Sequence, residues 1–350
     1  MTAVEMTAGV AAKGRSAHEV LLWSRDTVES ALRPVVEALP PAMRRIAGYH
    51  FGWWDEHGEP AAAAGGKAFR PALALLAAEA VGGDVAAALP AAVAVELAHN
   101  FSLLHDDVMD GDRTRRHRPT AWTVFGVSAA ILAGDALLAR AFDVLASGGH
   151  PSAPEAARVF GVAIQELLEG QNADVDFERR HDVNLTECLS MAAGKTGALL
   201  GCACALGALY GGGGPEQVDR LRAFGKDLGL AFQLVDDLLG IWGDPEVTGK
   251  PVHSDLRSRK KSLPVVAALA SSTPAGRELA GLYHRERPLT DADLARAAEL
   301  VDVLGGRAWS QAQADRMLAR ALEHLGAVGP APRPAAELGA LARLVTHRDH

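Results

Sequence analysis

Apolar residues return every three or four positions along most of the chain, the spacing that gives an α-helix one buried stripe. From Ala17 onward Val20, Leu21, Trp23, Val28, Leu32, Val35 and Val36 keep this rhythm, which predicts a first helix. Gly, Pro and charges gather over Asp55–Gly66 and predict a loop, followed by a helix from Lys67 to about Val81 that Gly82-Gly83 stops. Pro90 is expected in the first turn of the next helix, where its missing N–H is harmless, and that helix ends at an aspartate cluster. Gly111–Pro119 reads as a charged loop. Further helices are expected at 120–147, 155–175, 185–210, 215–242, 255–271, 275–286, 290–306, 308–325 and 335–347, with breaks at Gly148-Gly149, Gly211–Gly214 and Gly326–Pro334. No alternating run bounded by turn signals predicts a strand, and no fixed-period repeat is present. The expectation is an all-α chain: a flexible tail over residues 1–16, then one domain over 17–350.

Composition supports helix. Apolar residues make up 49 % of the 350, dominated by Ala and Leu, the strongest helix formers, while aromatics are only 5 %. A net charge of −8 gives no general attraction to nucleic acid and argues against a membrane-surface role. Cys188, Cys202 and Cys204 are an odd, clustered set in an apolar segment. They read as buried thiols in a reducing cytoplasm, not as a disulfide framework or a zinc site. Met1–Gly14 lacks the apolar core of a signal peptide, and no run is expected to reach the ~20 uninterrupted apolar residues of a bilayer span.

Two clusters change the picture. Asp106-Asp107-Val108-Met109-Asp110 and Asp236-Asp237-Leu238-Leu239-Gly240 each end an apolar helical run. Carboxylates in apolar surroundings lose water and repel one another, and a divalent cation relieves both costs. Hard oxygen donors suit magnesium, which keeps several waters and shares itself with substrate phosphates. Asp106 and Asp110, four apart, share a helix face; Asp107 points elsewhere and reads as support or as a ligand of an adjacent metal. The second cluster has Gly240 where a third acid would stand, leaving Asp244 and Asp255 as assistants. Solvated acidic helix ends are the bland reading of both.

Cations accompany the acids. Arg113, Arg115 and Arg116 follow the first cluster. Gly65-Gly66-Lys67-Ala68-Phe69-Arg70 joins a loop to a helix start, whose free N–H groups add to an anion site. Lys195, in Gly194-Lys195-Thr196-Gly197, falls inside an apolar helix and needs an anion or a route to solvent; the full P-loop spacing is absent. Thr248-Gly249-Lys250-Pro251, with Asp255, Arg257, Arg259, Lys260 and Lys261 beyond it, reads as a cationic lid.

Together these motifs resemble the trans-isoprenyl diphosphate (polyprenyl) synthases over roughly residues 20–345. Leu103 to Asp110 with Arg115-Arg116-His117 looks like the family's first aspartate-rich signature, and Gly229 to Gly240 like the second, in which Gly is an accepted last residue. The resemblance implies an all-α bundle around a deep central cavity, usually a homodimer, that condenses an allylic diphosphate (dimethylallyl, geranyl or farnesyl) with isopentenyl diphosphate. It implies about three Mg2+ ions. Asp106, Asp110 and Asp236 would bind the allylic diphosphate through them, with Asp107 and Asp237 in the same metal clusters. Arg115, Lys195 and Lys250 would add positive charge, with Thr196, Gln233 and Lys260 nearby. Isopentenyl diphosphate would lie on Gly66, Lys67, Arg70, His99 and Arg116. As a lone helical histidine His99 reads as an ordinary packed residue; its place two turns before Asp106 on one face suits a ligand.

Product length would be set one turn before Asp106 by Phe101 as a floor, with Ser102 leaving room beside it, a pairing similar to that of synthases that stop near geranylgeranyl diphosphate. Farnesyl or longer products are the near alternative. A terpene cyclase would have no use for the basic pocket. A non-catalytic subunit has only Gly240 in its favour.

Overall fold

The computed structural model describes residues 14–61, 66, 68–245, 251–285 and 287–346. Its helices are α1 (Ala17–Glu37), α2 (Pro41–Phe51), α3 (Phe69–Ala80), α4 (Val85–Met109), α5 (Ala121–Phe125), α6 (Val127–Ser147), α7 (Ala153–Phe177), α8 (Leu185–Ala192), α9 (Ala198–Tyr210), α10 (Pro215–Trp242), α11 (Ser254–Arg257), α12 (Leu263–Leu269), α13 (Pro274–Tyr283), α14 (Asp291–Val303), α15 (Gly306–Ala327) and α16 (Pro332–Thr346). Helix α1 starts where the pattern places it, because Ser16 and Glu19 cap it reciprocally. Residues 1–13 of the expected tail lie outside the described residues. Arg15 is tied down: its guanidinium lies 2.7 Å from Glu337 in α16 and over the Trp23 ring at 3.8 Å.

Helices α3, α4 and α9 form the centre. Every residue from Pro71 to Ala78 is buried, as expected of a helix apolar on all sides. Helix α3 packs against α4 and α9, α4 against α6, and α10 against α9 and α15. A smaller cluster of Ile241, Leu256, Val265, Leu279, Leu294 and Val301 roofs the end of α10. Two segments, Val85–Met109 and Leu185–Tyr210, prove long and apolar enough to cross a bilayer, contrary to the sequence expectation. Their apolar windows are 67 % and 78 % buried inside the protein, so these are core helices.

Four local expectations are corrected. Asp84 caps α4 by accepting the Ala86 N–H at 3.1 Å, so Pro90 is the sixth helical residue and not in the first turn. The charged loop contains a hairpin of Thr114–Arg115 (β1) against Arg118–Pro119 (β2), too short for any alternation to show in the sequence. The helix expected over 120–147 breaks at Gly126, where φ is 91°. The one expected over 255–271 is two pieces, α11 and α12.

Candidate active site

The two aspartate clusters sort by exposure in the same way. Asp110 and Asp236 are exposed, Asp106 is half-buried, and the second member of each pair, Asp107 or Asp237, is buried. A helix turns about 100° per residue, so adjacent acids cannot share a face. Asp107 Oδ1 accepts the Arg115 Nε–H at 2.7 Å, while Oδ2 is buried without a hydrogen-bond partner. Asp237 Oδ1 accepts from Gln233 Nε2 (2.9 Å) and Lys260 Nζ (3.1 Å), and Oδ2 from the Leu263 N–H (2.9 Å). Asp237, expected among the metal ligands, also joins α10 to α12 through these bonds. Burial, with repulsion from Asp110 and Asp174, pushes the Asp106 carboxyl up to about 6 against the pull of Lys195 and Arg115. Burial likewise raises Asp107, to about 6, and Asp110.

Lys195 finds the anion it requires. Residues Ala193–Gly197 form a π-turn between α8 and α9, a widening common at functional sites. The turn presses on α7: a Cβ on Gly170 would lie 2.3 Å from Lys195 N. There Lys195 Nζ pairs with Asp174. Thr196 Oγ1 donates to Gln233 Oε1 at 2.7 Å, and Gln233 passes the chain on to Asp237. Asp174 acts electrostatically on Asp106 and Asp110 on one side and on Lys260, with Asp236 and Asp237, on the other. The first and second clusters therefore share one electrostatic neighbourhood.

Beside the first cluster lies a basic pocket. Arg115 and Arg116 are neighbours in the hairpin but serve different sides. Arg115 binds Asp107, whereas Arg116 Nη2 would stand 3.1 Å from a Cβ on Gly66, with Glu96 Oε1 at 3.7 Å. Arg70 lies in the same group; burial lowers it to about 10 against the support of Glu96, and its Nε has no hydrogen-bond partner. Burial, then Arg70 and Arg116, hold His99 well below its ordinary range, so it is neutral here. Lys67 and Lys250 lie outside the described residues. Sequence reasoning missed Glu96 and Asp174. Glu96 is an acid inside an otherwise apolar stretch of α4, three residues before His99, and that was an available signal; Asp174 lies among other polar residues of α7, so nothing local marks it out.

Phe101 is buried, its ring edge-on to His105 at 4.7 Å, and His105 Nε2 is 3.0 Å from Ile131 O of α6. Ser102 is half-buried and donates back to His99 O at 2.8 Å.

Among the described residues no three acidic, His or Cys side chains converge closely enough to cage an ion unaided. The donor set nonetheless suits a hard cation: Asp106, Asp110 and Asp236 each keep some exposure, and burial, then repulsion between neighbouring acids, raises the first two against the pull of Lys195, a cost that a bound cation would relieve.

Residues 52–301 match the family described as polyprenyl synthetase. A (2E,6E)-farnesyl diphosphate synthase of Mycobacterium tuberculosis is 48 % identical over 332 residues, 94 % of this chain and 92 % of that protein. A geranylgeranyl diphosphate synthase of the same organism is also 48 % identical, over 91 % and 90 %. The crystal structure of a polyprenyl synthetase from Streptomyces coelicolor superimposes with a TM-score of 0.91 at 47 % identity, covering 94 % of this chain and 99 % of that one. A geranylgeranyl pyrophosphate synthase from Corynebacterium glutamicum, crystallised with isoprenyl diphosphate and magnesium, superimposes with a TM-score of 0.75 at 28 % identity, over 95 % and 98 %.

Proposed function

The chain belongs to the polyprenyl synthetase family and is a trans-prenyl diphosphate synthase, and from that premise we propose that it makes geranylgeranyl diphosphate from isopentenyl diphosphate and a shorter allylic diphosphate. Asp106, Asp110 and Asp236 would hold magnesium, about three ions by resemblance to the family. Bound there, the metal supplies Lewis acidity to the departing pyrophosphate. Lys195, Arg115 and Lys250 add fixed positive charge where negative charge develops, with Thr196, Gln233 and Lys260 holding the wall behind them. Arg70, Arg116, Lys67 and the Gly66 backbone bind isopentenyl diphosphate, and neutral His99 contributes one N–H. The allylic C–O bond breaks with its electron pair going to pyrophosphate. The isopentenyl double bond then attacks the allylic cation, and the proton lost on restoring the alkene goes to pyrophosphate.

The observation that carries the product assignment is Phe101, whose ring is braced by His105 against α6 while Ser102 beside it is small. A farnesyl product is the second reading, favoured by a farnesyl synthase relative of equal identity. We place the enzyme in the cytoplasm, supported by three buried free thiols, and take it to be a homodimer. Val127, Ile131, Leu132 and Phe142 of α6, with Val162 and Leu168 of α7, are exposed apolar side chains that a second copy would cover.

Purified protein given magnesium, isopentenyl diphosphate and each allylic primer in turn, followed by phosphatase and mass analysis of the alcohol, tests this. A twenty-carbon alcohol is expected. A fifteen-carbon end product overturns the product assignment. No product from any primer overturns the catalytic reading in favour of a subunit.

A further inference from the structure

The aromatic segment Gly48–Trp54 has no part in the chemistry above, and by sequence it offers only packing. In the structure it grips the arginine hairpin. Tyr49 Oη donates to Pro119 O at 2.8 Å. Arg118 Nη1 donates to Tyr49 O at 3.1 Å and Nη2 to Trp54 O at 3.3 Å, and its guanidinium lies 4.4 Å from the centre of the Tyr49 ring. The segment is itself rigid: the Trp54 ring fills the space of a Cβ on Gly48, and Phe51 stacks on Trp53 at 4.7 Å. His50 anchors it to α4. Asn100 donates its amide to Glu96 O (2.8 Å) and Oε1 (3.1 Å), so its oxygen must accept, and His50 Nε2–H at 3.2 Å is the donor.

The hairpin requires such a grip. Its two-residue turn is Arg116-His117, with φ of 51° and 61°. Both values lie in the left-handed region that such a turn needs and that residues with a side chain avoid. Left alone, the turn would relax, and Arg116, at its tip, would move most. Arg115 would move less, being fixed to Asp107 at 2.7 Å.

We propose that Tyr49 and Arg118 are positioning residues that hold this strained turn, so that the adjacent arginines address two different diphosphates. The proposal rests on the reading of Arg116 as an isopentenyl diphosphate ligand. It assigns specificity to the grip: loosening it weakens isopentenyl diphosphate and largely spares the allylic substrate. A merely structural role would weaken both.

The test is steady-state kinetics on the full chain with Tyr49→Phe and Arg118→Lys, each alone and with His117→Gly. Tyr49→Phe keeps the ring and loses one hydrogen bond, so the test survives if the arginine variant folds poorly. Each single variant is expected to raise KM for isopentenyl diphosphate about tenfold, with kcat and the allylic KM within about threefold. His117→Gly accepts positive φ freely and should restore most of the loss. Arg116→Ala is the control. If it leaves KM for isopentenyl diphosphate unchanged, the underlying assignment of Arg116 fails. If it raises KM while folded Tyr49→Phe and Arg118→Lys do not, or if both KM values rise together, or if His117→Gly restores nothing, the positioning role is overturned.

Discussion

The carboxylate of Asp255 occupies the space in which a side chain at Gly240 would begin: a Cβ there would lie 2.2 Å from Asp255 Oδ2 and 2.6 Å from Oδ1. Position 240 is one turn beyond Asp236, so α11 delivers an acid to the face where the first cluster has its own Asp110. Ser254 Oγ fixes the approach by donating to Gly240 O at 3.2 Å, and Lys260 stands 3.8 Å from Asp255 Oδ2.

Gly240→Ala therefore displaces Asp255 and, through it, Lys260. Overpacking of this kind costs about 1–3 kcal/mol, read as a lower Tm, and turnover should fall at least about tenfold. Gly240→Asp should fail in the same way, while Gly240→Asp with Asp255→Gly should recover part of the activity. An unchanged Tm and rate in Gly240→Ala would mean that the carboxylate simply moves aside.

This pairing was only half legible in the sequence. The missing acid at 240 was visible, and Asp255 was one of two candidates to assist, but the order of residues carries no distance between α10 and α11. Helix α10 was legible to its ends because Pro215 starts it and its apolar stripe is continuous. The π-turn was not, because an apolar run looks the same wound as α or as π. The need of Lys195 for an anion followed from its position in an apolar helix. That the anion is Asp174 depends on the crossing of α7, which no local pattern encodes. The hairpin escaped because its strands are two residues long and its turn lacks the usual glycine or asparagine.

The π-turn gives a second prediction. A methyl on Gly170 would meet Lys195 N at 2.3 Å, Gly194 C at 2.8 Å and Met191 O at 2.9 Å, all backbone atoms that cannot swing away. Gly170→Ala should lower Tm and, by shifting Lys195 off Asp174, cut kcat by about two orders of magnitude. Lys195→Ala separates the effects: kcat should drop similarly with little change in Tm. Wild-type kinetics in Gly170→Ala would show that the turn adapts.

Phe101→Ala tests the floor. Removing the ring leaves His105 without its edge contact and costs about 3 kcal/mol of packing. The ratio of products does not depend on how much enzyme folds. The alcohols should shift longer by about one isoprene unit. An unchanged distribution would place the floor elsewhere.

The exposed apolar residues of α6 and α7 predict the assembly. Leu132 is 55 % exposed, beside Ile131. Leu132→Glu puts a charge where a partner would exclude water. Sedimentation should give twice the chain mass for the wild type and a single chain for the variant. A wild-type monomer would remove the dimer reading.

Glu337 predicts a pH dependence away from the site. It is buried between Arg15 (2.7 Å) and Arg333 (3.1 Å). Burial alone would push its carboxyl up, but hydrogen bonds from Arg15 and the two positive charges hold it below its ordinary range. With the folded pKa depressed, its contribution is complete above the unfolded value of about 4.3 and is lost as pH falls through the folded value. Glu337→Gln should therefore melt below the wild type at pH 7, and the gap should close as pH falls below about 4.3. Thermal melts of both proteins from pH 7 downward read this directly. A gap that stays constant into acid would mean that the pair contributes through packing and not through charge.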